Sequence, residues 1–144
     1  MRRLVCRHDV ELRRLERQAR GGTNQEAAGG RVDIRFLVGD ARRLPFDAAE
    51  FDIVATNKTT HHIPEWKTVL AEMVRVLRPG GYFIYGDLVV PSWLARLGRS
   101  VAGGLAGFVT RTELDGFIHH QGLKVVQEAT RLASYEVVWW RPTT

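Results

Sequence analysis

The chain has 144 residues, a net charge of +5 and one cysteine, Cys6. That length supports a single domain around one core, and the lone cysteine excludes an internal disulfide or a cysteine-based metal site and points to a reducing, cytoplasmic setting. No apolar stretch follows Met1-Arg2-Arg3, and the most apolar long window, residues 88–108, is interrupted by Arg96 and Arg99, so neither a secretory leader nor stable membrane insertion is expected. Residues 1–20 hold seven Arg against Asp9, Glu11 and Glu16. No aromatic residue is interleaved with them, so they read as a charged helix face, and no nucleic-acid partner is expected.

In chain order, residues 3–7 form a short strand, and Asp9 sits as an N-cap before a helix of about three turns with Leu12, Leu15 and Ala19 as its stripe. Gly21-Gly22 ends that helix, and residues 21–30 read as a loop. Residues 31–38 alternate, with Val32, Ile34, Phe36 and Val38 on one side, as a strand does. Gly39-Asp40-Ala41 lies at its carboxyl end, followed by Leu44-Pro45-Phe46 and an acidic turn over 47–50.

Residues 51–55 are an apolar run suited to a strand covered on both faces. A polar crossing, 56–62, leads to Pro64 and Glu65, which open a helix. Trp66, Val69, Leu70, Met73, Val74 and Leu77 share one face of it. Pro79-Gly80-Gly81 is read as the turn that stops the helix, and 82–85 as a second strand ending at Gly86-Asp87. Strand, helix and parallel strand make a right-handed βαβ unit. Residues 88–109 then read either as a lid over a pocket or as a helix packed on the sheet. Thr110-Arg111-Thr112-Glu113 is a capping-box pattern opening a helix with Leu114, Phe117 and Ile118 inside and Gly122 at its C′ position. Residues 123–129 and 134–140 have hairpin spacing.

Ligands of open parallel sheets bind outside the carboxyl ends of the strands, which places the chemistry at 56–62 and at Gly86-Asp87. His61 and His62 carry imidazoles able to orient or deprotonate a nucleophile; the plainer reading is a solvent-facing pair before a helix. Asp87 is either a site residue or a cap. No metal is expected, because His8, His119 and His120 are remote in sequence.

GDARRLPF, FDIVATNKTTHHIPE and LAEMVRVLRPGGYFIYGD, in that order, resemble the small-molecule branch of the class I S-adenosylmethionine-dependent methyltransferases, the group that includes the ubiquinone and menaquinone biosynthesis enzymes. The resemblance runs from about residue 31 to 90 and continues weakly to the C-terminus. It implies an α/β fold: a Rossmann-like methyltransferase sheet, mostly parallel, with a C-terminal antiparallel hairpin. It also implies one domain over 1–144, of which 1–30 match poorly. S-adenosylmethionine is the implied cofactor. Asp40 corresponds to the residue accepting from the adenine amino group, Ala41 to the one whose N–H meets the ring, and Leu44 to an adenine-packing position. Asn57 and Thr59 fall near the methionine end, and Asp9 where an acidic residue grips the ribose. His61 matches a recurrent histidine, with His62 beside it.

The pattern departs from the family in one respect. The first strand and its Gly-rich loop should precede the second strand, and no such loop precedes residues 3–7, so the sheet is expected to be N-terminally truncated. It should close up, accept a substitute strand, or leave an edge for a homodimer or partner chain to cover. The implied activity is methyl transfer to a small-molecule acceptor; the alternative is a non-catalytic remnant or partner subunit binding cofactor weakly or not at all.

Overall fold

The computed structural model describes residues 3–7, 38–90, 109–131 and 134–143. The helix expected over 9–20, with Asp9, the loop over 21–30, the strand over 31–38 as far as residue 37, and most of the lid-or-helix segment, 91–108, lie outside the described residues. The elements are β1 (Arg3–Arg7), β2 (Phe51–Asn57), a 3-10 turn (Thr60–His62), α1 (Trp66–Val76), β3 (Leu77–Val90), β4 (Val109–Thr110), α2 (Arg111–His120), β5 (Lys124–Arg131) and β6 (Ser134–Trp140). The strands join in the order β1-β2-β3-β6-β5, with β4 added to β3 at Val89 and Val90. β1, β2 and β3 run parallel, and β6 is antiparallel to both β3 and β5. This is the mostly parallel α/β sheet with a terminal antiparallel hairpin that the motifs imply. β1 pairs directly with β2, from Arg3 opposite Ile53 to Arg7 opposite Asn57. It therefore takes the place beside β2 that the resemblance gives to the central strand.

α1 follows from its apolar spacing. Trp66, Val69, Leu70, Met73 and Val74 are buried, and Val76 with them. Glu65 is the N-cap position, so Pro64 and Glu65 stand ahead of the helix rather than inside its first turn. Leu77, expected as the last position of the helical stripe, is instead the first residue of β3 and is fully buried. The helix packs on the sheet face that carries Val54, Phe83, Tyr85, Val137 and Trp139. Trp139 centres this core, its ring 5.4 Å from Phe83 and 5.6 Å from Tyr85. Trp66 meets Phe117 of α2 edge-on at 5.8 Å, so both helices cover one face. On the opposite face Tyr82 and Ile84 remain 43% and 41% exposed.

Pro79-Gly80-Gly81 is not a turn between helix and strand. It lies inside β3 as a bulge: Leu77 pairs with Phe51 and Tyr82 with Ile53. The displaced backbone finds partners elsewhere, since Gly80 N–H donates to the Arg141 carbonyl at 2.7 Å and Arg141 N–H to the Gly81 carbonyl at 3.0 Å. The Arg141 guanidinium caps the end of α1 by donating to the Val74 carbonyl at 2.8 Å and to the Leu77 carbonyl, a favourable site for a cation at a helix C-terminus. β3 also runs past Gly86-Asp87 to Val90. Leu88, Val89 and Val90 therefore belong to the strand and not to the segment after it.

α2 forms as its caps dictate. Glu113 N–H donates to Thr110 Oγ1 and Thr110 N–H to Glu113 Oε2, both at 3.2 Å. At the other end Gly122 adopts φ +73°, with Gly122 N–H on the His119 carbonyl and Leu123 N–H on that of Ile118. That is the Schellman arrangement, and Leu123 and Ile118 are both buried as it requires. Gly116 is exposed in mid-helix, and a Cβ there would meet nothing within 4 Å. Gly116→Ala is expected to raise stability by about 0.5–1 kcal/mol, read from the denaturation midpoint. β5, the sheet edge, is exposed throughout residues 124–130. A register shift between Val125 and Gln127 and the charges of Lys124 and Glu128 discourage further strand pairing there.

Candidate active site

β2 ends at Asn57, and Lys58 turns the chain with φ +51°. A left-handed Lys costs roughly 1–2 kcal/mol, and this turn has a structural return. Lys58 N–H reaches the Gly86 carbonyl at 2.8 Å, and the next two residues wrap around one carboxylate. Asp87 Oδ2 accepts from Thr59 N–H at 3.0 Å, Thr60 N–H at 2.7 Å and Thr60 Oγ1 at 2.7 Å. Its Oδ1 accepts from Leu88 N–H at 2.8 Å and from His61 Nδ1. Asp87 is buried and mid-strand, where an ionised group is tolerated only with such a set of donors. Because the Thr60 hydroxyl gives its hydrogen to Asp87, Tyr85 OH donates to Thr60 Oγ1 at 2.8 Å. Burial, with the Asp87 charge adding to it, pushes the Tyr85 phenol far up, so it stays a neutral donor.

The His61 side chain keeps 12% of its surface accessible. With Nδ1–H committed to Asp87, the acceptor atom of the neutral ring is Nε2. The arrangement is an imidazole held in one tautomer by a buried carboxylate, just past the carboxyl end of β2 and beside Asp87, three residues before β3 ends. His62 is exposed and its ring lies 3.8 Å from that of His61, tilted by 44°. Thr59 is buried and its hydroxyl donates to the Asn57 carbonyl at 3.1 Å. Asn57 is exposed and lies over Gly86, where a Cβ would stand 3.5 Å from Asn57 Oδ1.

The second group of expected residues sits on a loop beside α1. Arg75 of α1 donates to the Phe46 and Leu44 carbonyls at 3.0 and 3.2 Å, and Leu44 N–H donates to Glu72 Oε2 at 3.0 Å. The Arg75 guanidinium beside Glu72 holds that carboxyl below its usual range. Ala41 and Leu44 are half-buried and pack against the core margin. Asp40 is exposed, with Arg43 N–H on its carbonyl at 3.0 Å, and Arg42 bonds its carboxylate and holds its pKa below the ordinary value. Arg42 Nη1 also reaches Glu65 Oε1 at 3.5 Å, which ties this loop to the start of α1. The structure thus brings Asn57, Thr59, His61 and His62 into one cluster and pins Asp40, Ala41 and Leu44 beside the helix that follows it. Asp9 lies outside the described residues.

Two functional partners escape sequence reasoning. Thr60 carries no separate signal, although adjacent threonines before a short turn commonly bond locally. Arg42 stands two residues from Asp40, near enough for a local ion pair, but a run of two Arg reads as solvated charge.

An acidic acceptor beside half-buried apolar residues, and an exposed amide and an oriented imidazole at strand ends, form a donor set that suits a nucleoside bearing an amino group and a reactive tail. The family model described as "Methyltransferase domain" matches residues 5–85. The phthiotriol/phenolphthiotriol dimycocerosates methyltransferase of Mycobacterium tuberculosis is 55% identical over 55 residues, 38% of this chain and 20% of that protein. The fatty-acid O-methyltransferase of Mycolicibacterium smegmatis is 42% identical over 64 residues, 42% of this chain and 23% of that protein. The matched stretches thus span about a fifth of these relatives' length. In three dimensions the chain is similar to a SAM-dependent methyltransferase from Methanosarcina mazei, with a TM-score of 0.70 at 17% identity over 99% of this chain and 83% of the other, a likeness of fold. With the family model covering more than half its residues and the sheet it implies in place, the chain belongs to the class I S-adenosylmethionine-dependent methyltransferases.

Proposed function

We propose that the chain takes part in S-adenosylmethionine-dependent methyl transfer to a hydroxyl of a small, largely apolar acceptor. The observation that carries this reading is the His61–Asp87 pair, just past the carboxyl end of β2 and in the last residues of β3 before Val90. The cofactor, when bound, supplies an electrophilic methyl group on a sulfonium. Asp40 would accept from the adenine amino group, Ala41 and Leu44 would line the ring, and Asn57 would meet the methionine end. His61 would take the hydroxyl proton at Nε2 as the acceptor oxygen receives the methyl group, whose bond to sulfur breaks to leave the neutral thioether S-adenosylhomocysteine, and the buried Asp87 carboxylate would stabilise the imidazolium. Most of the remaining acceleration comes from holding the reactants in line. His62, exposed beside His61, lines the acceptor's approach.

The acceptor class draws support from two directions. The relatives act, by their names, on dimycocerosate lipids and on fatty acids. An open groove of about 440 Å³ beside Asn57 and Gly86 has Ala55, Ile84, Ala129 and Val138 among its lining, with Gln127 and Glu136 as polar members, room for an alkyl chain with a polar group. The test is calorimetric titration with S-adenosylhomocysteine, followed by transfer of labelled methyl from S-adenosylmethionine to long-chain alcohols, with fatty acids, whose carboxylates hold no proton for His61 to take, as the comparison. Cofactor binding with transfer supports the reading, and binding without transfer to any hydroxylated acceptor favours a partner-subunit role. No binding at all removes the cofactor from the proposal.

A further inference from the structure

We propose that Arg42 competes with the adenine of a bound S-adenosyl ligand for the Asp40 carboxylate, so that this side chain sets the affinity of the site; the inference rests on the cofactor reading above. A carboxylate offers about four lone-pair positions. In Asp40 three hydrogens of one residue take up most of them: Oδ1 accepts from Arg42 N–H at 2.9 Å, Oδ2 from Nη2 at 3.0 Å, and the single Nε–H is shared between Oδ1 at 3.0 Å and Oδ2 at 3.1 Å. An adenine amino group therefore meets a carboxylate most of whose accepting directions are taken, two of the three hydrogens being those of the guanidinium. Arg42 is held in place from its other side by Glu65 Oε1, at 3.5 Å, at the N-cap of α1. The side chains of Arg42, Asp40 and Glu65 are each about half exposed, at 49%, 51% and 53%. Ion pairs so open to water are weak, so the ligand can displace the guanidinium, at a cost in affinity and not by exclusion. The released Arg42 keeps Glu65 as its partner, which makes the exchange a swing about one anchor rather than an unfolding of the loop.

The competition appears as a difference in dissociation constant. Titrating the full chain with S-adenosylhomocysteine, Arg42→Ala and Arg42→Gln are each expected to bind about three- to tenfold more tightly than the wild type. In an Asp40→Asn background the same Arg42 substitutions should bring no gain, since the contested carboxylate is gone. An analogue of the ligand with a 6-deaminated purine, which has no amino hydrogen to donate, should likewise show no gain; a general loosening of the loop would affect both ligands alike. If the wild type binds and the Arg42 variants bind equally or more weakly, Arg42 is a support of the site and the competition is refuted, with the cofactor reading intact. If neither wild type nor variants bind S-adenosylhomocysteine, both ideas fall together.

Discussion

Asp87→Asn is expected to lower kcat by about 10²-fold or more, the range associated with losing a general base, while leaving the dissociation constant for S-adenosylhomocysteine within about twofold. The argument is one of donor counting. Three donors converge on Asp87 Oδ2, and two, Leu88 N–H and His61 Nδ1, on Oδ1. An asparagine must turn its carbonyl oxygen to the three. Its amide NH₂ then faces Leu88 N–H and His61, and His61 can accept from it only by moving its own hydrogen from Nδ1 to Nε2. The ring keeps its place and loses the atom that receives the proton. His61→Ala should cost about as much, and the double variant little more than either, because the two residues act as a unit. Nitrogen NMR of the His61 ring separates this from mere loss of stability: protonated Nδ1 in the wild type, protonated Nε2 in Asp87→Asn. A variant with wild-type turnover, or with an unchanged tautomer, would remove Asp87 from the mechanism.

How much of this was legible in the sequence depends on the range of the interactions. The α1 stripe as far as Val74 and both caps of α2 are local patterns, and the structure forms them where residues three and four apart say it should. The limits of β3 are not local. Gly86-Asp87 reads as a strand end because a buried aspartate normally breaks a strand. Here the threonine turn following β2 neutralises that cost, and the strand continues to Val90. β4 is two residues long and exists only as a ladder to Val89 and Val90, too short for any periodicity to reveal. In the site, His61 and Asp87 were each visible as polar residues at strand ends, but their pairing spans 26 residues and follows from strand register. The Arg42 clasp on Asp40 is local, yet nothing in GDARR distinguishes a clasp from two solvated arginines.

Gly81→Ala is expected to lower stability by about 2–3 kcal/mol, a fall in Tm on the order of 5–10 °C for a domain of this size. A Cβ at Gly81 would stand 2.7 Å from the Asp52 carbonyl oxygen and 2.9 Å from that of Arg78, backbone atoms that cannot rotate aside, and 2.7 Å from Leu77 Cδ1. Gly80 is the gentler neighbour: its φ of +78° disfavours a side chain, but the nearest atom is the Thr143 methyl at 3.2 Å, so Gly80→Ala should cost roughly 1–2 kcal/mol. The larger effect at Gly81 matters for the site as well as for stability. Between the Phe51–Leu77 and Ile53–Tyr82 pairs, β3 uses five residue steps against two on β2. The three extra residues set the register of the rest of β3, in which Gly86 pairs with Asn57 and Asp87 stands beside the threonine turn and His61. Urea denaturation of the two alanine variants tests this, with the Asp87-dependent tautomer of His61 as the readout of register. Equal midpoints for wild type and Gly81→Ala would mean that the close approach to Asp52 does not exist in solution.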